Sequence, residues 1–434
     1  MCAALPKILI VTFGSLGDLH PFIALGQALQ REGFSVVVAS SSDHRERVEA
    51  HGLGFTPISP SLADIRARLG LDMGGLARRM SEDDGFLFRD LIFPHLHQSY
   101  EQLLAISAGA ATVVAHSIAF SAHAAAEKLG IPLALVTLSP MLLYSAYDPP
   151  LGSRAPFIPE PRARLSLAYN RAMLGLFAEL ADRWAAPLRR FRRDLGLPNP
   201  GPFALFRGVA RDIPTIGLHS ALLAPPRPDH SPNLLVAGHS FHDAATSMSE
   251  EEAALLEEFL EAGEAPVVFT LGSFVSHGLH AHYRACVEAA QSLGKRAILL
   301  ADKEDVEELR AGAPASVHVA GYVPHSQLFP RALAVAHHGG IGTSGQALRA
   351  GKPQLVTPFL GDQQDNSARL ARLGVARALP GRKVSGTRLA VELAALLEKP
   401  DYARCAGELA PRIAAEDGPA AAAQRIAQLA RRRK

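Results

Sequence analysis

Cysteine is scarce, with three in 434 residues (Cys2, Cys286 and Cys405). None has the CxxC or zinc-like spacing that a disulfide frame or structural metal would require. A reducing compartment suits such a chain, so a cytoplasmic location is expected. Excess charge is also missing: the formal net charge is +2 at pH 7, which leaves no overall electrostatic footprint for nucleic acid. The two dense basic runs, Arg189-Arg190 with Arg192-Arg193 and the terminal Arg431 to Lys434, read as solvated helix faces or a tail, with peripheral contact to anionic lipid as the alternative. No apolar run is long enough to span a bilayer, because Ala108 to Tyr144 is broken by His116, His123, Glu127, Lys128, Pro132 and Pro140. Ahead of the strand-like Lys7 to Phe13 there is neither a basic leader nor a cleavage site. Neither a signal peptide nor stable membrane insertion is therefore expected. Carboxylates form no DxD-type cluster for Mg²⁺. The histidines at 277, 280 and 282 form a metal-like cluster, but no carboxylate or Cys completes a clear ligand set. They read as a loop or helix face, as do His95 and His97, and no metal is expected.

What is present is a repeated pattern. Lys7-Ile-Leu-Ile-Val-Thr-Phe-Gly-Ser15 is an apolar run entering a glycine turn, and Pro266-Val-Val-Phe-Thr-Leu-Gly-Ser273 has the same form. Similar runs follow the first at Ser35–Ala39, Thr112–Ala115, Leu133–Leu138 and Thr215–Leu218, and the second at Ala297–Leu300, Val317–Ala320, Leu333–His337 and Gln354–Thr357. Segments with helical spacing separate them, which predicts parallel sheets wound by crossover helices. Two α/β domains follow: 1–235, 236–400, and a C-terminal helical stretch 401–434 that packs back on the first domain. The proline-rich stretch Pro225 to Ser249 marks the junction. Ala163 to Leu195 reads as an amphipathic, Arg-rich excursion. A ligand is expected in a cleft between the domains.

The residues with most chemical content lie in Ala336-His-His-Gly-Gly-Ile-Gly-Thr-Ser-Gly-Gln346. Gly339, Gly340 and Gly342 let backbone approach a ligand closely, and the helix starting near Thr343 offers unpaired N–H groups. This is the pattern of a pyrophosphate seat, with His338 and Thr343 as added donors; the structural alternative is a glycine turn with two packed histidines. In the following Gly351-Lys-Pro-Gln-Leu-Val-Thr-Pro-Phe-Leu-Gly-Asp-Gln-Gln-Asp-Asn366, Asp362 and Gln363 begin a helix, and their carboxylate and amide suit vicinal hydroxyls.

Together these segments resemble the donor-binding signature of family 1 glycosyltransferases with the GT-B fold, two facing doubly wound Rossmann-like domains with a ligand cleft between them. Gly321-Tyr-Val-Pro-His325 resembles the upstream base-binding element. The chain is most similar in look to bacterial rhamnolipid-type rhamnosyltransferases, and to antibiotic and sterol glycosyltransferases. The resemblance implies that Tyr322 stacks on a pyrimidine and Val323 pairs with it through its backbone. It implies that Ser273, His338, Gly340 and Thr343 hold a diphosphate and that Asp362 and Gln363 hold the sugar. Gly17, Gly339 and Gly342 are grouped with the donor contacts. Gln346 stands where relatives place a ribose-binding Glu, which leaves UDP and dTDP both open.

The opening Phe13-Gly-Ser-Leu-Gly-Asp-Leu-His-Pro21 lacks GxGxxG spacing and is assigned to the acceptor side. Many relatives carry a catalytic His where this chain has Asp18, so Asp18 is the candidate general base. Its structural alternative is helix N-capping, and His20 is the rival base. His116, ending a strand, stands where those relatives place an orienting Asp, so an Asp18–His116 pair is expected, against the alternative of a buried strand-end histidine. Acceptor walls are expected within 60–93, including Phe86, and 139–157, including Met141, Leu142 and Tyr144; the alternative is plain core. The implied reaction is inverting, metal-independent transfer of a hexose from a UDP- or dTDP-sugar co-substrate to a hydroxyl of a small apolar acceptor, with no further cofactor. A sugar-nucleotide epimerase and a catalytically silent sugar-nucleotide-binding partner protein are the rival readings.

Overall fold

The computed structural model describes residues 5–83, 85–152, 161, 163–201, 212–242, 248–272 and 280–431. These form two compact units: the first comprises residues up to Asp72, Glu82–Ser240 and the chain from Asp417 onward; the second comprises Met73–Ser81 and Phe241–Glu416.

Unit 1 is built on strands β1 (Lys7–Val11), β2 (Ser35–Ser40), β3 (Gly54–Pro57), β4 (Ala110–His116), β5 (Leu133–Thr137), β6 (Thr215–Gly217) and β7 (Leu234–Val236). They form a sheet in the order β3-β2-β1-β4-β5-β6-β7, parallel throughout. Ile8, Leu9, Ile10 and Val11 are all buried, as expected of a central strand covered on both faces. On one face, Leu9, Val113 and Leu135 pack with Leu103, Phe120 and Phe191 of the helices Leu96–Ser107, Phe120–Leu129 and Ala186–Asp194. The helix Leu16–Arg31 buries Leu19, Phe22, Ile23, Gly26 and Leu29, the 3–4 spacing of one apolar face. It packs against the C-terminal helix Gly418–Arg431. That helix is fixed at its start, where Gly418 N–H donates to the His239 carbonyl at 3.2 Å.

Unit 2 contains β8 (Val267–Thr270), β9 (Ala297–Leu300), β10 (Val317–Ala320), β11 (Ala334–His337), β12 (Gln354–Val356) and β13 (Ala376–Ala378). The sheet order is β10-β9-β8-β11-β12-β13, again all parallel. Phe269, Leu299 and Leu355 face Tyr283, Leu389 and Leu393 of helices His280–Ser292 and Gly386–Glu398. Val268, Ile298 and Val335 face Leu256, Phe329 and Ala347 on the other side.

The expected change of domain at 235/236 falls at 240/241. Within 401–434, Pro400–Ala414 is a helix of unit 2 and the return to unit 1 begins at Asp417. The excursion around 163–195 is two helices, Arg164–Trp184 and Ala186–Asp194. Strands β3, β7 and β13 lie outside the runs read from sequence, and all three are sheet edges. An edge strand needs no continuous apolar run, and β3 ends in a proline, which edges tolerate. No helix among the described residues is long and apolar enough to cross a membrane.

Candidate functional site

Each sheet reverses its winding direction once, between β1 and β4 in unit 1 and between β8 and β11 in unit 2. Ligand crevices in open parallel sheets form beyond the strand C-termini at such reversals. The sequence motifs fall at these two places: Gly14 to Asp18 follows β1, His116 ends β4, Gly272 follows β8 and His338 follows β11.

In unit 2, β11 passes through His338, Gly339 and Gly340 into the helix Ile341–Arg349, whose N-cap is Gly340 with no side-chain cap bond. The first-turn N–H groups of such a helix have no intrahelical partner. The His338 ring lies in a slot between glycines: a Cβ on Gly272 would stand 2.5 Å from it, and one on Gly340 would collide with Nε2. Burial, with the neighbouring His337 and His325, lowers its pKa to about 3, so it is a neutral imidazole at pH 7. Its buried Nδ1 has no hydrogen-bond partner, an arrangement that native interiors seldom leave without a use. His337 is fully engaged instead. Its Nδ1 accepts from Gly339 N–H at 3.1 Å, so Nε2 carries the proton and donates to Gln354 Oε1 at 2.8 Å.

Gly339 has φ +92°, and a Cβ there would stand 2.8 Å from Val356 Cγ1 and 3.1 Å from the Gln363 carbonyl oxygen. The glycine turn therefore touches the start of helix Gln363–Arg372, for which Asp362 is the N-cap. Gln363 is buried, and its Oε1 accepts the N–H groups of Phe359 and Leu360 at 2.8 and 3.2 Å. Those bonds fix the amide so that its NH₂ points away from the loop backbone. Half-buried Asp362 accepts at 2.9 Å from the buried Asn366 Nδ2, which also donates to the Gly339 carbonyl at 3.0 Å. Thr343 and Gln346 are buried within helix Ile341–Arg349. Gly342 is exposed, with nothing within 4 Å of a hypothetical Cβ. Val323 is buried, and half-buried Tyr322 has its ring 6.0 Å from that of His325, which stacks on Phe329 at 4.3 Å. Ser273 and His277 lie outside the described residues.

In unit 1, Ser15 is the N-cap of helix Leu16–Arg31 and Asp18 sits at N3. Ser15 N–H and Oγ both donate to Asp18 Oδ2, at 2.8 and 3.1 Å. The capping alternative is thus realised, with Asp18 as the reciprocal member of a capping box rather than the cap itself. Because both bonds use Oδ2, the second carboxylate oxygen is not committed to the cap. Burial outweighs these bonds and raises the Asp18 pKa above the ordinary carboxylate value. Gly14, at φ +116°, is where the chain needs glycine, because a Cβ would strike the Asp18 carboxylate.

His20 is turned toward Arg47, 3.4 Å from its guanidinium. His116 is buried, 6.2 Å from the Phe13 ring and 5.9 Å from the Phe22 ring. Its Nδ1 accepts from Ile118 N–H at 3.3 Å, and burial lowers its pKa to about 4. Among the described residues no hydrogen bond or ion pair joins Asp18 to His116 directly. The carboxylate folds back on Ser15 and the imidazole on Ile118, which satisfies each locally.

Gly17 belongs to the exposed first turn of this helix in unit 1, whereas the other described donor candidates lie in unit 2. Phe86 is 2% exposed; its ring belongs to the interior, not to an open acceptor wall. Met141, Leu142 and Tyr144 are half-buried on the chain after β5, and Tyr144 packs against Leu174 with Met173 and Phe177.

Among the described residues no group of three His, Cys, Asp or Glu is placed to hold a metal. His280 lies 3.4 Å from Asp305 and 3.7 Å from Glu308, which the fold brings from the helix Lys303–Ala311. Asn366, His337 and Gly272 were not singled out in the sequence. The available signal was the i, i+4 spacing of Asp362 and Asn366 on one helix.

Two family models match the chain: the glycosyltransferase family 28 N-terminal domain over residues 8–143, and the erythromycin biosynthesis protein CIII-like C-terminal domain over residues 285–429. A sterol 3-beta-glucosyltransferase of Debaryomyces hansenii is 28% identical over 422 residues, 94% of this chain and 26% of that protein. The vancomycin aglycone glucosyltransferase of Amycolatopsis orientalis is 29% identical over 92% of each chain. The chain therefore spans about a quarter of the length of that fungal relative and most of the length of the bacterial one. Among solved structures, the spinosyn rhamnosyltransferase SpnG complexed with thymidine diphosphate superposes with a TM-score of 0.67 at 19% identity, covering 97% of this chain and all of that one. The glycosyltransferase VinC in complex with dTDP gives 0.66 at 20% identity, covering 98% and 100%. The fold is GT-B, and the likeness to antibiotic and sterol glycosyltransferases read from the motifs extends over more than nine-tenths of the chain, 94% for the sterol enzyme and 92% for the antibiotic one.

Proposed function

We propose that this protein, a homologue of the GT-B-fold glycosyltransferases, transfers a hexose of glucose or rhamnose type from a UDP- or dTDP-sugar to a hydroxyl of a small apolar acceptor such as a sterol, lipid, polyketide or phenol. The observation that carries the donor half is the His338 slot: a neutral imidazole with an unpartnered buried nitrogen stands beside an uncapped helix N-terminus, with Asp362 and Gln363 at the next strand end. A diphosphate oxygen supplies the missing partner to Nδ1 and to the first-turn N–H groups. Those donors stabilise the charge that develops as the nucleoside diphosphate leaves, so no metal is required in this reading. Asp362 accepts from sugar hydroxyls, and the Gln363 NH₂ donates to them. Tyr322 and Val323 take the base.

Asp18 is the general base of this reading. Its pKa, raised by burial, makes the ionised form a better proton acceptor than an ordinary carboxylate. It takes the acceptor hydroxyl proton as that oxygen attacks C1 from the face opposite the leaving group, which inverts the anomeric centre. Half-buried Met141, Leu142 and Tyr144 favour an apolar acceptor.

The test is donor consumption with and without a panel of sterol, phenolic, macrolide and hydroxy-fatty-acid acceptors, in EDTA. Acceptor-dependent loss of UDP- or dTDP-hexose with an inverted product is expected. Acceptor-independent conversion of the sugar would make the protein an epimerase, binding without turnover would make it a silent partner, and activity that needs Mg²⁺ or Mn²⁺ would refute the metal-free chemistry.

A further inference from the structure

The sugar-reading and diphosphate-reading groups of unit 2 come from different strand ends, after β12 and β11 respectively. One buried side chain bridges them. Asn366 has no exposed surface, and its Nδ2 donates at once to the Gly339 carbonyl, in the diphosphate turn, and to Asp362 Oδ2, the sugar-reading carboxylate. An amide NH₂ has two donor hydrogens in one plane, and both are used here. A second, independent contact joins the same parts, because the Gln363 carbonyl oxygen would stand only 3.1 Å from a Cβ on Gly339. The two segments can come this close only because residue 339 is glycine.

We propose that Asn366 is a positioning residue that locks the Asp362 carboxylate to the diphosphate turn, and thereby sets how strongly the sugar of a nucleotide sugar is recognised relative to its nucleoside diphosphate. The proposal rests on the donor-site assignment above. A carboxylate with free torsions spreads its acceptor lone pairs over several directions, whereas one held by a hydrogen bond to an immobile amide presents its remaining lone pairs in fixed directions. Such preorganisation acts on the ligand portion that the carboxylate touches. Asn366 touches neither base nor sugar in this assignment, and its effect passes through Asp362.

The test compares dissociation constants for UDP and UDP-hexose, or for dTDP and dTDP-hexose, whichever pair the wild-type protein binds. Asn366→Ala is expected to weaken binding of the nucleotide sugar roughly tenfold more than binding of the nucleoside diphosphate, the scale of one hydrogen bond to a charged group. Kinetically, KM for the donor should rise by more than kcat falls. In an Asp362→Ala background the same substitution should no longer distinguish the two ligands, since the group it positions is gone. If Asn366→Ala does not fold, Asn366→Leu roughly keeps the side-chain volume and removes both donors without adding a titratable group; it should show the same selective loss. Equal weakening of both ligands, or unchanged affinity for both, overturns the positioning role and leaves the donor site standing. Failure of the wild-type protein to bind either nucleoside diphosphate removes the donor site itself, and this proposal with it.

Discussion

Replacing Gly342 by alanine should stabilise the free protein and weaken donor binding, and the opposed signs make it a sharp test of the diphosphate seat. Gly342 lies in the first turn of helix Ile341–Arg349, is exposed, and has no atom within 4 Å of the position a Cβ would take. Its φ is not in the left-handed region, so alanine adds no strain and gains about 0.5–1 kcal/mol from helix propensity and reduced unfolded-state freedom. For a unit of this size that corresponds to a rise in Tm of about 1–4 °C. The open space beside Gly342 is where a diphosphate oxygen must come to meet the first-turn N–H groups. A methyl group there displaces it from one or two charge-assisted hydrogen bonds, worth about 1.5–3 kcal/mol each, so the affinity for UDP or dTDP should fall by roughly tenfold or more. Gly339→Ala is the contrasting variant. Its φ of +92° and its approach to Val356 and the Gln363 carbonyl impose about 1–2 kcal/mol of backbone cost and a further 1–3 kcal/mol of overpacking, so it should lower Tm as well as affinity. Differential scanning fluorimetry and titration calorimetry read both quantities. If Gly342→Ala raises Tm and leaves nucleoside diphosphate affinity unchanged, no anion approaches this helix N-terminus and the donor assignment falls.

Asp18→Asn should retain donor affinity and lose roughly two or more orders of magnitude in turnover. Because the Asp18 pKa is raised by burial and the base must be ionised, kcat/KM should fall as pH drops through a value above the ordinary carboxylate range; residual activity of the Asp18→Asn variant that keeps the same acid limb would assign that limb elsewhere. His338→Ala should weaken both nucleoside diphosphate binding and turnover, and an unchanged affinity would show that the unpartnered Nδ1 faces no phosphate. His116→Ala should lower Tm, since the ring is packed between Phe13 and Phe22 and its Nδ1 accepts from Ile118 N–H, while the acid limb stays where Asp18 sets it. A limb displaced by more than about half a pH unit would mean that the two groups titrate together after all.

The sequence by itself determined the winding of the chain and the chemistry of its turns. Apolar runs such as Ile8–Val11 and Val267–Thr270 announce central parallel strands because a strand buried on both faces has no polar side to alternate with. The glycines at 14, 339 and 342 are legible because each answers a local demand, for positive φ or for open backbone, that the neighbouring residues already state. Tertiary structure decided what depends on partners distant in sequence. The edge strands β3, β7 and β13 exist because a neighbour offers its hydrogen bonds, and Phe86 is interior because other segments cover it. Asp18 and His116 each find a hydrogen-bond partner within three residues rather than in one another, although Asp18 follows β1 and His116 ends the adjacent β4. His337 and His338 are consecutive and chemically alike, yet the first is committed to Gly339 and Gln354 while the second, its ring lodged between two glycines, keeps a bare Nδ1; only the placement of β8 and β12 beside β11 separates their roles.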